Sequence, residues 1–479
     1  MNSGIMYYRW FQKVISIFID IFFVLAPLVT LYVFTSPFTG TIKYVIFAVL
    51  LLAYGSVIYF FKDKIKTIIE KILNRLTDLD ERKMLLIIVL VMLALKVIYS
   101  LLFSYDGSTE GDIEIYNEIA DHIIETGELH SRAISHLYGV ALHFVVFRLF
   151  HLPVHIGMFL VILTGTIFNF LSFKKILCTE KAFLSILVYA LMQSTSMMSF
   201  CATHEVFVYM YVSIFLFFFN LMLYEEKTSK SILYLFFGVI STALTCLVNP
   251  GGYIIYIIMG LCILLSNVSL NKKTFVVCAL VLSILSNSLI SRALGINEYN
   301  TKMNTFTILI HGANPESLGE QVDGYPLKEM RMYIHNNTLD FSKEGFVDAG
   351  IHVLISQYTY LLTHPVNLIR LIMHKFYILW SGVHYPLEYA HHFNAYSNLI
   401  FYGLLVINTL IYLFMITIGL VYRKKNGDDT IDISNYKLEF LGVIALTMLC
   451  IVVNKYSLYA TAFIYLISFY RSSLNERKL

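Results

Sequence analysis

Gly111-Asp112-Ile113-Glu114-Ile115-Tyr116 is the stretch of this chain best suited to chemistry. Ile115, Tyr116, Ile119, Ala120 and Ile123 recur at helical spacing, Glu114, Asn117, Glu118, Asp121 and His122 fill the opposite side, and Gly127 offers a C-terminal stop. The pattern predicts a short helix with Asp112 at its N-cap, where free backbone amides and the positive end of the helix dipole favour the ionised carboxylate. A carboxylate so held is available as a general base. Capping alone accounts for the same spacing, and Asp106, Glu110 and Glu114 compete for any catalytic role. A second acid, Glu205, stands beside His204 at the head of an aromatic and aliphatic run. A carboxylate at helix-centre depth in a bilayer costs about 2.5–3.5 kcal/mol, and less near the interface, so this position marks either a site or an interfacial glutamate.

A membrane must position these groups. The 479-residue chain is 58% hydrophobic and only 14% charged, outside the range of soluble globular proteins. Its apolar stretches predict an all-α polytopic membrane protein with about twelve transmembrane helices, each long enough to cross roughly 30 Å of hydrocarbon. The expected spans lie near 14–34, 42–61, 84–103, 155–176, 181–201, 205–224, 231–249, 251–268, 274–294, 397–421, 437–453 and 456–470. The net charge of +3 argues against a nucleic-acid partner, and six cysteines without CxxC spacing indicate neither a disulfide framework nor a zinc site. The first apolar run follows Arg9 and Lys13 but is too long for a cleaved signal, so it reads as an uncleaved helix.

Lys and Arg concentrate in the connections 62–83, 174–181, 225–230, 271–273 and 423–437 and in the tail after Arg471, all on one side of this topology. By the positive-inside rule that side is the cytoplasm and holds both termini, and the plasma membrane is the expected location. Two longer hydrophilic stretches, 104–154 and 295–397, then face outward, and all 15 histidines fall on or at the edge of that side. Both stretches are expected to hold amphipathic interfacial helices. His136, His143, Arg148 and His151 share roughly a third of the helical circumference of 136–151, and His364, Asn367, Arg370, His374 and Lys375 share one face of 363–380. The chain divides accordingly into 1–83, two extra N-terminal helices with a basic connection; 84–294, a membrane core with the first outer loop at 104–154; 295–397, the second outer region; and 398–479, the last helices and tail.

A series of single residues runs through these parts in order. Asp112 precedes Tyr116 by four positions, with Ala120 and Gly127 following; Arg148-Leu149-Phe150-His151 ends the next segment; Glu205 opens a span; His364-Pro365, Lys375 and Trp380 come late in the second outer region; Lys455-Tyr456 opens the last span. Over roughly residues 84–470 this series resembles the GT-C superfamily of membrane glycosyltransferases that use polyprenyl-phosphate sugars, in particular the branch with protein O-mannosyltransferases and the lipid A aminoarabinose transferase. Residues 148–151 are similar to that family's R-L-F-G, His364-Pro365 with Lys375 and Trp380 to its hP…K…W, and Lys455-Tyr456 to its Arg-Tyr. The family's Asp-Glu pair is Asp112-Ile113 here and its Lys-Pro is Ile134-Ser135-His136, which leaves the donor contacts there open.

The resemblance implies transfer of a sugar, with inversion, from a polyprenyl-phosphate donor to an extracytoplasmic glycan, lipid or protein. It implies Asp112 as general base and Glu205 as a second catalytic carboxylate, with Tyr116, Arg132, His136, His204, Lys375, Trp380, Lys455 and Tyr456 binding substrate. Arg132, His136, Lys375 and Lys455 are the cations for the donor phosphate, and each also fits a snorkelling contact to headgroups. Asn297, Tyr299, Asn314, Asp323, Tyr325, Tyr385 and Tyr389 suit sugar recognition and equally an interface. No cofactor is indicated; a divalent metal at His384, His391 and His392 is left open, without HExxH or comparable spacing. The competing class is a polysaccharide or lipid-linked glycan transporter, flippase or polymerase. A transporter is expected to show inverted repeats or buried mid-membrane charges. No repeat is evident, Asn249-Pro250-Gly251-Gly252 reads as a tight outer turn, and Lys96 reads as a packing or snorkelling lysine.

Overall fold

The computed structural model describes the main chain except at residues 1–2, 36–37, 106–111, 129–134, 193–203, 250–255, 258–259, 261–263, 265–268, 294, 296–297, 321, 323, 381–392, 396–397, 423–436, 438–439, 442–462, 464 and 471–479. In chain order the described elements are α1 (Ser3–Phe34), α2 (Gly40–Leu76), α3 (Glu81–Leu102), β1 (Phe103–Tyr105), α4 (Asp112–Thr126), α5 (Ser135–Leu149), α6 (Val154–Phe173), α7 (Thr179–Leu191), α8 (His204–Tyr224) and α9 (Thr228–Val248). Then follow α10 (Leu270–Ala293), α11 (Glu298–Gly312), α12 (Tyr325–Asn336), α13 (Lys343–Thr363), α14 (Pro365–Trp380), β2 (Phe393–Ala395) and α15 (Asn398–Val421).

Seven of these helices, α1, α2, α3, α6, α8, α9 and α10, are long and apolar enough to cross a membrane. The chain is therefore a helical, multi-pass membrane protein. The remaining expected spans are shorter or fall partly outside the described residues: α7 has 13 residues, the apolar described part of α15 is Val406–Val421, and most of 251–268, 437–453 and 456–470 is not described. At 1.5 Å per residue, the 37 residues of α2 run about 55 Å against a hydrocarbon core of roughly 30 Å. Its charged end, residues 62–75, therefore projects past the bilayer.

The N-terminal helices dock on the C-terminal part of the chain. Phe22 meets the rings of Phe440 and Phe376 at 4.7 and 6.3 Å between centroids. Phe23 packs against Gly419 of α15, where any side chain would collide with its ring. Tyr54 and Thr417 join their hydroxyls at 2.9 Å, a bond that gains strength from its apolar surroundings.

Contacts sort the two ends of the bundle. At one end β1 and β2 pair antiparallel, Phe103 opposite Ala395 and Tyr105 opposite Phe393, so the end of α3 is tied to the segment before α15, far away in the sequence. Tyr32 at the same end of α1 packs on Tyr377 of α14 at 5.9 Å. The two long hydrophilic stretches thus share one end. At the other, Lys174 pairs with Glu81 at 2.5 Å and Lys66 sits 5.6 Å above the Tyr422 ring.

Outside the spans, α11, α12 and α13 form a separate small core of Ile310, Met330, Ile334, Ala349 and Val353. The end of α5 carries a local strain: His151 takes φ +52°, the left-handed region that costs a residue with a Cβ roughly 1 kcal/mol and glycine almost nothing. Replacing His151 by Gly is expected to raise stability by about 0.5–1 kcal/mol, read as a higher Tm in detergent. A Tm that falls instead would mean that the imidazole makes a contact outweighing the backbone cost.

Candidate functional site

The helix expected at the first outer loop is present. α4 begins at Asp112 and stops at Gly127, which takes φ +71° while its amide donates to the Ile123 carbonyl at 3.0 Å. Tyr116, Ile119 and Ala120 are fully buried, and Ile113, Ile115 and Ile123 pack against the same core. Glu114, Glu118 and Asp121 are exposed. The apolar face thus holds the helix down, and about 1.5–3 kcal/mol comes from each large side chain it buries.

That face rests on α5. Tyr116 meets Phe144 edge-on at 5.9 Å, Phe144 stacks with Phe147 at 6.1 Å, and Phe147 stacks with Phe207 of α8 at 6.4 Å. Phe207 lies two residues beyond Glu205. A run of four rings therefore connects the helix that starts at Asp112 to the helix that carries Glu205. From the exposed side Arg148 clamps the arrangement, donating to the Asn117 Oδ1 at 2.8 Å and pairing with Asp121. The Asp121 carboxylate is 57% exposed, so the ion pair contributes only about 0.2–1 kcal/mol and the Asn117 bond about 1 kcal/mol. Arg148→Met is expected to cost about 1–2 kcal/mol in total, seen as a lower Tm; an unchanged Tm would show that α4 is held by its apolar face alone.

The expected polar face of α5 does not form as one surface. His143 points inward, its Nδ1 donating to the Gly139 carbonyl at 2.6 Å, which leaves Nε2 to accept from the Tyr211 hydroxyl. Its ring lies 4.3 Å from Phe207. Arg148 turns to α4 instead. Tyr138, Val140, Ala141, Phe144 and Phe147 are buried, whereas Val146, Leu149 and Phe150 are exposed. The reason is Gly139: a Cβ there would lie 2.6 Å from the Leu247 carbonyl oxygen and 2.8 Å from the Val248 Cα, so α5 comes into backbone contact with the end of α9 and is covered on more than one side.

Glu205 is fully buried in the first turn of α8, with His204 Nε2 2.9 Å from its Oε1. His204, Phe207 and Tyr211 recur at helical spacing on α8, and the last two face His143. Neither the ring series nor the His143–Tyr211 pair was expected from the sequence; that periodicity, together with Phe144 and Phe147 one turn apart, is the signal that could have found them.

In the stretch 295–397 Lys375 is fully buried, with its Cε pressed against Gly319, a residue at φ +86°. Its neighbour His374 bonds Glu320 at 2.5 Å, so the turn 313–320 covers the lysine from above. The rest of α14 is amphipathic: Val366, Ile369 and Met373, with Leu362 before them, form an exposed stripe at helical spacing. Asn314 and Tyr325 are engaged in the fold rather than open to a ligand. Asn314 Oδ1 accepts from the Glu316 amide at 3.0 Å. Gln357 Nε2 donates to the Tyr325 hydroxyl at 2.9 Å, and burial pushes the Tyr325 phenol up. Tyr299 lies under the Lys343 ammonium at 5.4 Å. Lys96 is buried within α3 rather than lipid-facing.

Arg132, Lys455, Tyr456, Asp106, Glu110, Asn297, Asp323, Tyr385, Tyr389, His384, His391 and His392 lie outside the described residues, as do the side chains of Asp112, His136 and Trp380. Among the described residues no cluster of His, Cys, Asp and Glu is arranged to hold a metal.

By sequence, the chain matches no protein-family model and no curated protein. Among solved structures, the archaeal oligosaccharyltransferase AglB from Archaeoglobus fulgidus, in complex with an inhibitory peptide and a dolichol-phosphate, aligns with 82% of this chain and 50% of its own, at 11% identity and a TM-score of 0.36. The chain thus spans half the length of that protein.

Proposed function

We propose that the chain is a membrane glycosyltransferase that moves a sugar from a polyprenyl phosphate to an extracytoplasmic acceptor, with inversion. Asp112 takes the proton of the acceptor hydroxyl as its oxygen bonds to the anomeric carbon. The bond from that carbon to the phosphate oxygen breaks, and the polyprenyl phosphate leaves with the electron pair. A phosphate needs little protonation to depart, so one essential carboxylate suffices, in contrast to the acid and base pair of most glycosidases. Glu205 orients His204 toward the sugar, and Tyr116 anchors the helix that presents the base. Arg132, His136, Lys375 and Lys455 neutralise the phosphate, Lys375 only once the turn at Gly319 lifts off it. Trp380 and Tyr456 border the sugar.

The same reading has twelve spans, both termini in the cytoplasm, and the site on the outer face of the plasma membrane. Its membrane core is 84–294, with 1–83 as an added pair of helices, 295–397 as the acceptor side and 398–479 closing the bundle. The observation that carries it is the docked helix starting at Asp112 and joined through aromatic rings to the helix of Glu205. The test is purified protein incubated with a panel of undecaprenyl-phosphate sugars, scoring free lipid phosphate. Release with one donor supports the reading, and no turnover with any donor favours a transporter, flippase or polymerase. Labelling of a cysteine placed at Glu114 from the cell exterior checks the sidedness; labelling only after the inner face is opened would end the proposal.

A further inference from the structure

Serine and threonine inside the spans of this protein usually settle their hydroxyls on the carbonyl one turn back. Thr30 does so on Ala26 at 2.8 Å, Ser213 on Tyr209 at 2.6 Å and Thr245 on Ser241 at 2.8 Å. Ser185 and Ser468 do not. Both residues are fully buried, and neither Oγ has a hydrogen-bond partner among the described residues.

The two hydroxyls belong to one place. Tyr189 of α7 lies against Tyr465 at 5.8 Å between ring centroids, and the Tyr465 hydroxyl reaches Met192 just past the end of α7. In the twelve-span topology the helical residues 465–470 run antiparallel to α7. One turn back from Tyr189 is Ser185 and one turn on from Tyr465 is Ser468, so they stand at the same level on facing helices. A further tyrosine lies beside them: Tyr209 packs against Tyr189 with its ring tilted, at 5.7 Å between centroids. A hydroxyl removed from water with nothing to bond is strongly disfavoured in a lipid-embedded core, and two of them, each within one turn of the Tyr189–Tyr465 contact, supply the polar partners that a bound water needs.

We infer that Ser185 and Ser468 bind water between α7 and residues 465–470, toward the inner end of those two spans. The water accepts from one hydroxyl and donates to the other, and so sets the register of the last helix against the core. The site rests on the twelve-span topology of the proposed reading and not on its sugar-transfer chemistry.

The test is millisecond X-ray radiolysis of the full-length protein in nanodiscs, with oxidation read by mass spectrometry. Bound water generates hydroxyl radicals in place, so Tyr189 and Tyr465 are expected to oxidise several-fold faster than Tyr256. That tyrosine is equally buried and has its hydroxyl on Thr245 at 2.7 Å. The double variant Ser185→Ala/Ser468→Ala is expected to bring Tyr465 down to the Tyr256 rate. Equal rates in the wild type overturn the inference without need of any variant. So does labelling that persists in a folded double variant, or a double variant with a higher Tm than the wild type, the signature of hydroxyls that were dry.

Discussion

Asp112→Asn is expected to lower sugar transfer by about 10²–10⁴-fold, the span that general-base catalysis supplies, with little change in the fold. The pairing of those two outcomes is what makes the substitution informative. Asn serves a helix N-terminus about as well as Asp, so α4 should still begin where it does, and its anchorage through Tyr116, Ile119 and Ala120 is untouched. What disappears is the negative charge and the basicity. Glu114→Gln, on the exposed face of the same helix, is the matched control and should retain turnover within a few-fold. Release of free lipid phosphate is the measurement. Wild-type turnover by Asp112→Asn removes this carboxylate as the base, and loss in Glu114→Gln alone would move the role by two residues.

Gly139→Ala should have a large structural effect at the end of the bundle that carries the two long hydrophilic stretches. In an exposed helix the change gains about 1 kcal/mol from propensity. Here the new methyl meets backbone, 2.6 Å from the Leu247 carbonyl oxygen and 2.8 Å from the Val248 Cα, and backbone cannot swing aside as a flexible side chain does. Overpacking of this kind costs typically 1–3 kcal/mol, which exceeds the propensity gain. Since α5 supports α4 through Phe144 and Phe147, the displacement should also reduce transfer, not only stability. Gly403→Ala of α15, where no atom of the described residues outside its own stretch of helix lies within 4 Å of the added methyl, is the control and should be neutral or slightly stabilising. Equal Tm values for the two variants would show that α5 and α9 do not touch as described.

The sequence by itself determined that this protein lives in lipid, because 58% hydrophobic residues with 14% charged leave too little polar surface to face water. It also determined α4: one apolar face, one acidic face and a glycine stop are all local, and the helix runs from Asp112 to Thr126 with Gly127 at positive φ. The same held for the starts of α8 and α10 to within a few residues, since a run of apolar residues bounded by charge has few alternatives to a spanning helix.

Only the tertiary structure decided what each face meets. The histidine and arginine of α5 shared a face on paper, yet His143 turns to Tyr211 and Arg148 to α4. Lys375 sat among polar residues and ended beneath Gly319. The pairing of β1 with β2 joins residues far apart in the chain, and no local pattern announces it. The physical reason is common to all three. In water, apolar periodicity separates inside from outside; in a bilayer the lipid-facing and the protein-facing sides of a helix are both apolar, so periodicity loses that meaning. Which side is buried is then settled by close approach, at glycines such as Gly139 and Gly419, and by the few polar groups that must find each other.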